Sequence, residues 1–144
     1  MNRYALEEIQ PGLTESFTTT VTEEKMRLFF ALTGDNSPIH VSEETAQARG
    51  HKGRVVYGML CASLFSTLAG VYLPGETCLL HSVEAKFASP VYIGDTLTVT
   101  GTVQEVNQTF GEITVKAVIV NQHGKRVTRG LIKAGVEAAP AKNA

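Results

Sequence analysis

The stretch GMLCASLFSTLAGVYL, residues 58–73, constrains the fold more than any other part of the chain. Wound as a helix, it carries Met59, Leu60, Ala62, Leu64, Phe65, Leu68 and Ala69 all round its axis. A helix that is apolar on every side is a buried one. A membrane span needs about 20 such residues, so a helix of this length has to be wrapped by protein.

The second half of the chain has the material for that wrapping. CLLHSVEAKFASPVYIG, TLTVTGTVQEV, GEITVKAVIVN and KRVTRGLIKAGV are β-rich runs separated by turn residues. NQTFG and NQHGK read as hairpin connections between the last three. Leu97, Val99, Gly101 and Val103 alternate with polar residues, as on a strand with one buried face. Upstream, residues 13–19 are β-prone. Thr22 starts a short helix whose apolar face is Met26, Leu28, Phe29, Ala31 and Leu32 and which stops near Gly34, and Ser42 caps another over SEETAQA. With 144 residues and no internal repeat, the chain fits one domain. The expected class is α+β: a single hot-dog domain over residues 1–136, with a long central helix covered by a curved antiparallel sheet. EAAPAKNA, residues 137–144, is expected to be a flexible C-terminal tail.

A net charge of −1 with no basic run argues against a nucleic-acid partner. The start, MNRYALEEIQPG, is charged and lacks the apolar run of ~7–15 residues that a signal peptide needs. The expectation is a cytoplasmic protein with no membrane partner. Cys61 and Cys78 read as buried free thiols in a reducing compartment. The histidines show no paired ligand spacing, so no metal is expected. His51 and His123 read as solvent-facing, His81 as a strand residue, and Met59 and Phe65 as core.

GDNSPIH, residues 34–40, sets an acid and an imidazole five positions apart. On one continuous helix they would diverge by roughly 140° and could not act on one small molecule. Pro38 disfavours that helix, and Gly34 suits a helix stop. The segment therefore reads as a helix end followed by a bent loop that returns Asp35 and His40 towards a common point. Gly58, at the entry of the central helix, offers backbone N–H groups where partial positive charge favours a developing oxyanion.

With these features the sequence resembles the MaoC-like, (R)-specific enoyl-CoA hydratases and dehydratases of the hot-dog fold. The likeness is carried by LTGDNSPIH, by VVYGMLCASLFSTLAGVYLPG and by FASPVYIGDTLTV, in that order, and spans about residues 7–136. It implies hydration of trans-2-enoyl thioesters to 3-hydroxyacyl thioesters, or the reverse dehydration, with Asp35 and His40 as the dyad that activates water. It also implies that the Gly58 N–H binds the thioester oxygen and that Ser66 lines the site. The substrate would be a thioester of coenzyme A or of carrier-protein phosphopantetheine, with no further cofactor. The protein would be a homodimer whose sheets join edge to edge, which also covers an otherwise unpaired strand. Two positions depart from the family pattern: Ser37 stands where it has Asn, and Tyr57 where it usually has His. Both are candidate substrate-binding positions. His51, Lys52 and Arg54 read as a solvated loop or as contacts to the phosphates of the carrier arm. Two alternatives stay open: a thioesterase of the same fold, and a catalytically weak acyl-thioester binding protein.

Overall fold

The computed structural model describes residues 1–138. In chain order it runs through a 3-10 turn at Leu6–Glu8, strand β1 (Thr14–Thr20) and helices α1 (Glu23–Thr33), α2 (Pro38–Val41), α3 (Glu43–Ala48) and α4 (Gly58–Thr67). Strands β2 (Cys78–Phe87), β3 (Thr96–Asn107), β4 (Glu112–Val120) and β5 (Arg126–Val136) follow.

The strands form one antiparallel sheet in the order β1-β3-β4-β5-β2. Period-two alternation gives the three central strands one buried face. Leu97, Val99 and Val103 turn inward, as do Ile113, Val115, Ile119, Val127 and Ile132, all with 2% exposure or less. Phe65 and Leu68 are fully buried within the same core cluster. The sheet receives the helix where it lacks side chains. A Cβ on Gly101 would lie 2.9 Å from Leu68 Cδ2, and one on Gly130 would lie 2.9 Å from Phe65 Cε2. Register shifts between Leu80 and Ser82 and between Val103 and Glu105 add the local bending that curves a sheet around a helix.

The hot-dog arrangement is therefore present, with differences in detail. The regular central helix ends at Thr67 and continues as a π-helical segment, Leu68–Tyr72, in which the Leu73 N–H donates to the Leu68 carbonyl at 2.8 Å. The N-terminus braces that segment: the Asn2 N–H donates to the Val71 carbonyl at 2.8 Å and its side-chain amide to the Tyr72 carbonyl at 3.0 Å. Helix α2 was expected as loop. Pro38 occupies its first turn, where a missing N–H costs nothing, so the residue that bars a long helix opens a short one.

The wrapping is also incomplete. Phe65 is core, but Met59 is 65% exposed, and on α1 Leu28 and Leu32 face outward while Met26 is buried. Leu79, Leu80, Val83 and Phe87 on the edge strand β2 are exposed too. Among the described residues no helix is long and apolar enough to cross a membrane. Of the expected tail, 139–144 lie outside the described residues, and the Glu137 N–H donates to the Thr77 carbonyl at 2.8 Å.

Candidate active site

Helix α1 ends as its glycine dictates. Gly34 takes φ 72° and returns its N–H to the Phe30 carbonyl at 2.7 Å. The next residue, Asp35, starts an Asx turn in which one carboxylate oxygen, Oδ1, accepts from the Ser37 hydroxyl at 2.7 Å and from the Ser37 N–H at 3.0 Å. These two bonds, the hydroxyl first, hold the Asp35 carboxyl below the usual carboxylate range, and the nearby His40 adds to the effect.

Helix α2 then carries His40. Its Nδ1 lies 2.7 Å from the Val55 carbonyl, which can only accept, so Nδ1 bears a proton and Nε2 is the nitrogen that accepts when the ring is neutral. Arg54 steadies the same turn: its Nε donates to the His40 carbonyl at 2.8 Å while its guanidinium pairs with Glu23 at 2.6 Å.

Tyr57, at the N-cap of α4, stands between the two candidates and is 2% exposed. Its ring lies 4.2 Å from the His40 ring and 4.7 Å from the Phe29 ring, centroid to centroid. Its hydroxyl donates to the Asp35 carbonyl at 2.8 Å. Burial, followed by the Asp35 charge, raises the phenol above its ordinary value. Gly58 is the first residue of α4, and no acceptor for its N–H occurs among the described residues. A Cβ there would lie 3.3 Å from the Phe87 ring, so glycine keeps the helix entry open.

Two cavities flank this helix entry. One, of about 510 Å³, is lined by Asp35 and Ser66 with Phe29, Met59, Leu80 and Val83, and its walls are almost wholly apolar. The other, of about 370 Å³, is lined by His40 and Gly58 with Cys61, Phe87 and Pro90. The expected site residues thus gather at one place but divide between two chambers, and neither Tyr57 nor Ser37 lines either one. Ser37 is turned onto Asp35. Lys52 and Arg54 line a separate polar cleft with Tyr92 and Lys125, and His51 does not.

Phe29, Phe87 and Cys61 were not anticipated as wall residues. Phe29 is legible only as part of an apolar helix face, and Phe87 and Cys61 lie within the stretches that carry the family resemblance without any sign of their own that they are wall residues. Burial pushes the Cys61 thiol up to about 12, so it serves as wall rather than nucleophile. Cys78 is only half-buried. His81 lies on β2, exposed, with Nδ1 2.6 Å from the Glu112 carboxylate. His123 is exposed in the turn before β5.

Known proteins share this architecture. The solved structure of an (R)-hydratase from A. caviae, described as involved in PHA biosynthesis, matches with a TM-score of 0.86 and 26% identity, covering 90% of this chain and 98% of that one. An (R)-specific enoyl-CoA hydratase of Rhodospirillum rubrum is 40% identical over 97 residues, 67% of this chain and 67% of its own length. A 3-hydroxybutyryl-CoA dehydratase of Methylorubrum extorquens is 34% identical over 100 residues, 69% of this chain and 64% of its own. Residues 7–125 match the family described as MaoC like domain, a stretch that includes both candidate residues, the helix entry and four of the five strands, and the chain belongs to that family.

Proposed function

We propose that the protein is a hydro-lyase that adds water to trans-2-enoyl thioesters to give (R)-3-hydroxyacyl thioesters and catalyses the reverse dehydration with the same groups. The observation that carries this reading is the meeting of Asp35 and His40 on the buried Tyr57 at the entry of α4, with Nε2 the acceptor of the neutral His40 ring. The hydratase and dehydratase names of the relatives supply the reaction class and its stereochemistry.

In this reading the thioester lies along the helix entry. Its carbonyl oxygen accepts from the Gly58 N–H, and its acyl chain enters the apolar chamber beside Met59, Leu80 and Val83. Water is held between the Asp35 carboxylate and His40 Nε2. As the water oxygen bonds to the β-carbon, its proton passes to the dyad and the C=C electron pair moves onto the thioester oxygen. There the Gly58 N–H and the positive end of α4 meet the developing charge. The α-carbon then takes a proton from the dyad, which closes the cycle. Removing one such donor elsewhere costs ~2.7–4 kcal/mol. The exposed apolar strand β2 supports a homodimer joined along that edge.

The test is to mix purified protein with crotonyl-CoA and longer enoyl-CoAs, following loss of the enoyl absorbance and release of free thiol in parallel. Loss of absorbance without thiol release is expected. Thiol release would replace the reading with a thioesterase, and tight binding with neither signal would replace it with a binding protein.

A further inference from the structure

Asp35 and His40 share no direct hydrogen bond among the described residues, and the chain between them is exposed at Asn36, Ser37 and Pro38, held by Ser37 on Asp35, by the His40 N–H on the Ser37 carbonyl at 2.9 Å and by the Val55 N–H on the Ile39 carbonyl at 3.0 Å. These local bonds shape the turn, and one side chain from outside it touches both residues. Tyr57 is that group. Its hydroxyl bonds the main chain of Asp35, its ring packs at a 32° tilt against His40 and at a 38° tilt against Phe29 of α1, and its own backbone is the N-cap of α4. It thus ties the end of α1, the turn of α2 and the helix entry together.

We propose that Tyr57 is a positioning residue, which fixes the Asp35 carboxyl and the His40 imidazole relative to each other and to the Gly58 N–H without itself touching substrate. The inference rests on the hydration reading for its kinetic consequence but not for its geometry. Tyr57 lines neither chamber and is 2% exposed, so it is screened from a ligand. Its acceptor is a backbone carbonyl rather than the carboxylate, so the contact persists whether Asp35 is charged or neutral. Asp35 is thereby held at three points, its carbonyl by Tyr57, its Oδ1 by Ser37 and its N–H by Thr33 Oγ1 at 3.2 Å. Ser37 and Tyr57 thus act on the same residue.

The experiment compares Tyr57→Phe, which keeps the ring and removes the O–H, with Ser37→Ala, the double variant and Tyr57→Leu, which removes hydroxyl and ring together. Steady-state hydration of the best enoyl-CoA and 15N relaxation of the backbone amides at Asp35 and His40 are measured on each. Misplacing a reacting group by about 1 Å can cost ~10²-fold, so Tyr57→Phe should lower kcat about tenfold while KM stays within about twofold. The double variant should lose less than the product of the single losses, because both contacts hold one residue. The Asp35 amide should gain motion in Tyr57→Phe whether or not the protein hydrates anything. A variant that folds with unchanged kcat and an unchanged Asp35 amide would overturn the positioning role, as would a raised KM at constant kcat, which would make Tyr57 a substrate contact. Wild-type protein inactive on every thioester would overturn the reaction and leave the relaxation result to decide the role. If Tyr57→Leu fails to fold, Tyr57→Phe still carries the test.

Discussion

Ser37 gives both of its donors to one oxygen of Asp35, and this sets how the carboxyl titrates. Hydrogen bonds to the charged form lower a carboxyl pKa, so this contribution to folding is present above the unfolded-state pKa and fades as pH falls through the lower folded-state value. Ser37→Ala removes the hydroxyl bond, the larger cause, and leaves the backbone one. Its acid limb in a pH profile of kcat/KM should therefore move to higher pH, towards the limb of an ordinary carboxylate. Asp35→Asn and His40→Ala should each lower hydration by ~10²–10⁴-fold, the usual contribution of general acid–base groups. Both residues sit on turns outside the core cluster, so circular dichroism should match wild type, with melting lowered only by the loss of their local bonds. The order of glycine, acid, proline and histidine in GDNSPIH made these two candidates visible in the sequence. The grip of Ser37 and Tyr57 on Asp35 was not visible, because it depends on rotamers and on where α4 docks.

Strands and helices differed in how much they showed beforehand. The alternation at Leu97, Val99, Gly101 and Val103 defined a strand with one buried face, and all four positions are buried. The all-round apolarity of residues 58–73 correctly demanded a wrapper but not a complete one, which is why Met59 was misread as core. An apolar helix facing an uncovered chamber has the same pattern as one facing a sheet. Helix α2 has no signature in the sequence, because four residues carry no periodicity and a proline that breaks a helix interior is favoured in a first turn. The glycines of β5 have a legible cause only once the partner strand is placed. A Cβ on Gly130 would meet the Glu84 carbonyl oxygen at 2.1 Å, on the backbone of β2, as well as the Phe65 ring. Gly130→Ala must therefore part β5 from β2 and also displace the Phe65 ring. The expected cost is ~1–3 kcal/mol, as for other overpacking changes, read as a lower urea midpoint at unchanged slope.

The sheet has two edges, and they are not equivalent. β1 carries a ladder of threonine and serine pairs with β3, at 3.0 Å for Ser16 and Thr100, and its outer row is polar. β2 presents Leu80 and Val83 beside Met59, an apolar strip that a single copy leaves in water. Sedimentation at micromolar concentration should give twice the 15.5 kDa chain mass, and Val83→Lys should shift it towards one copy. The strand order has a further consequence in time. β3, β4 and β5 follow one another through short turns at 108–111 and 121–125, so their pairings close small loops. β1 reaches β3 only by bringing Thr14 to Thr102. Loop-closure entropy delays such a contact, and interactions absent from the transition state affect only how fast the native state comes apart. Phe17 on β1 stacks on Tyr72 with ring centroids 5.0 Å apart, so it reports on that late closure. In stopped-flow chevrons, Phe17→Ala should steepen the loss of native protein, raising the unfolding rate several-fold while the refolding rate stays near wild type. The β3–β5 meander would then be the part of this chain that finds its shape first, and β1 the part that leaves it first.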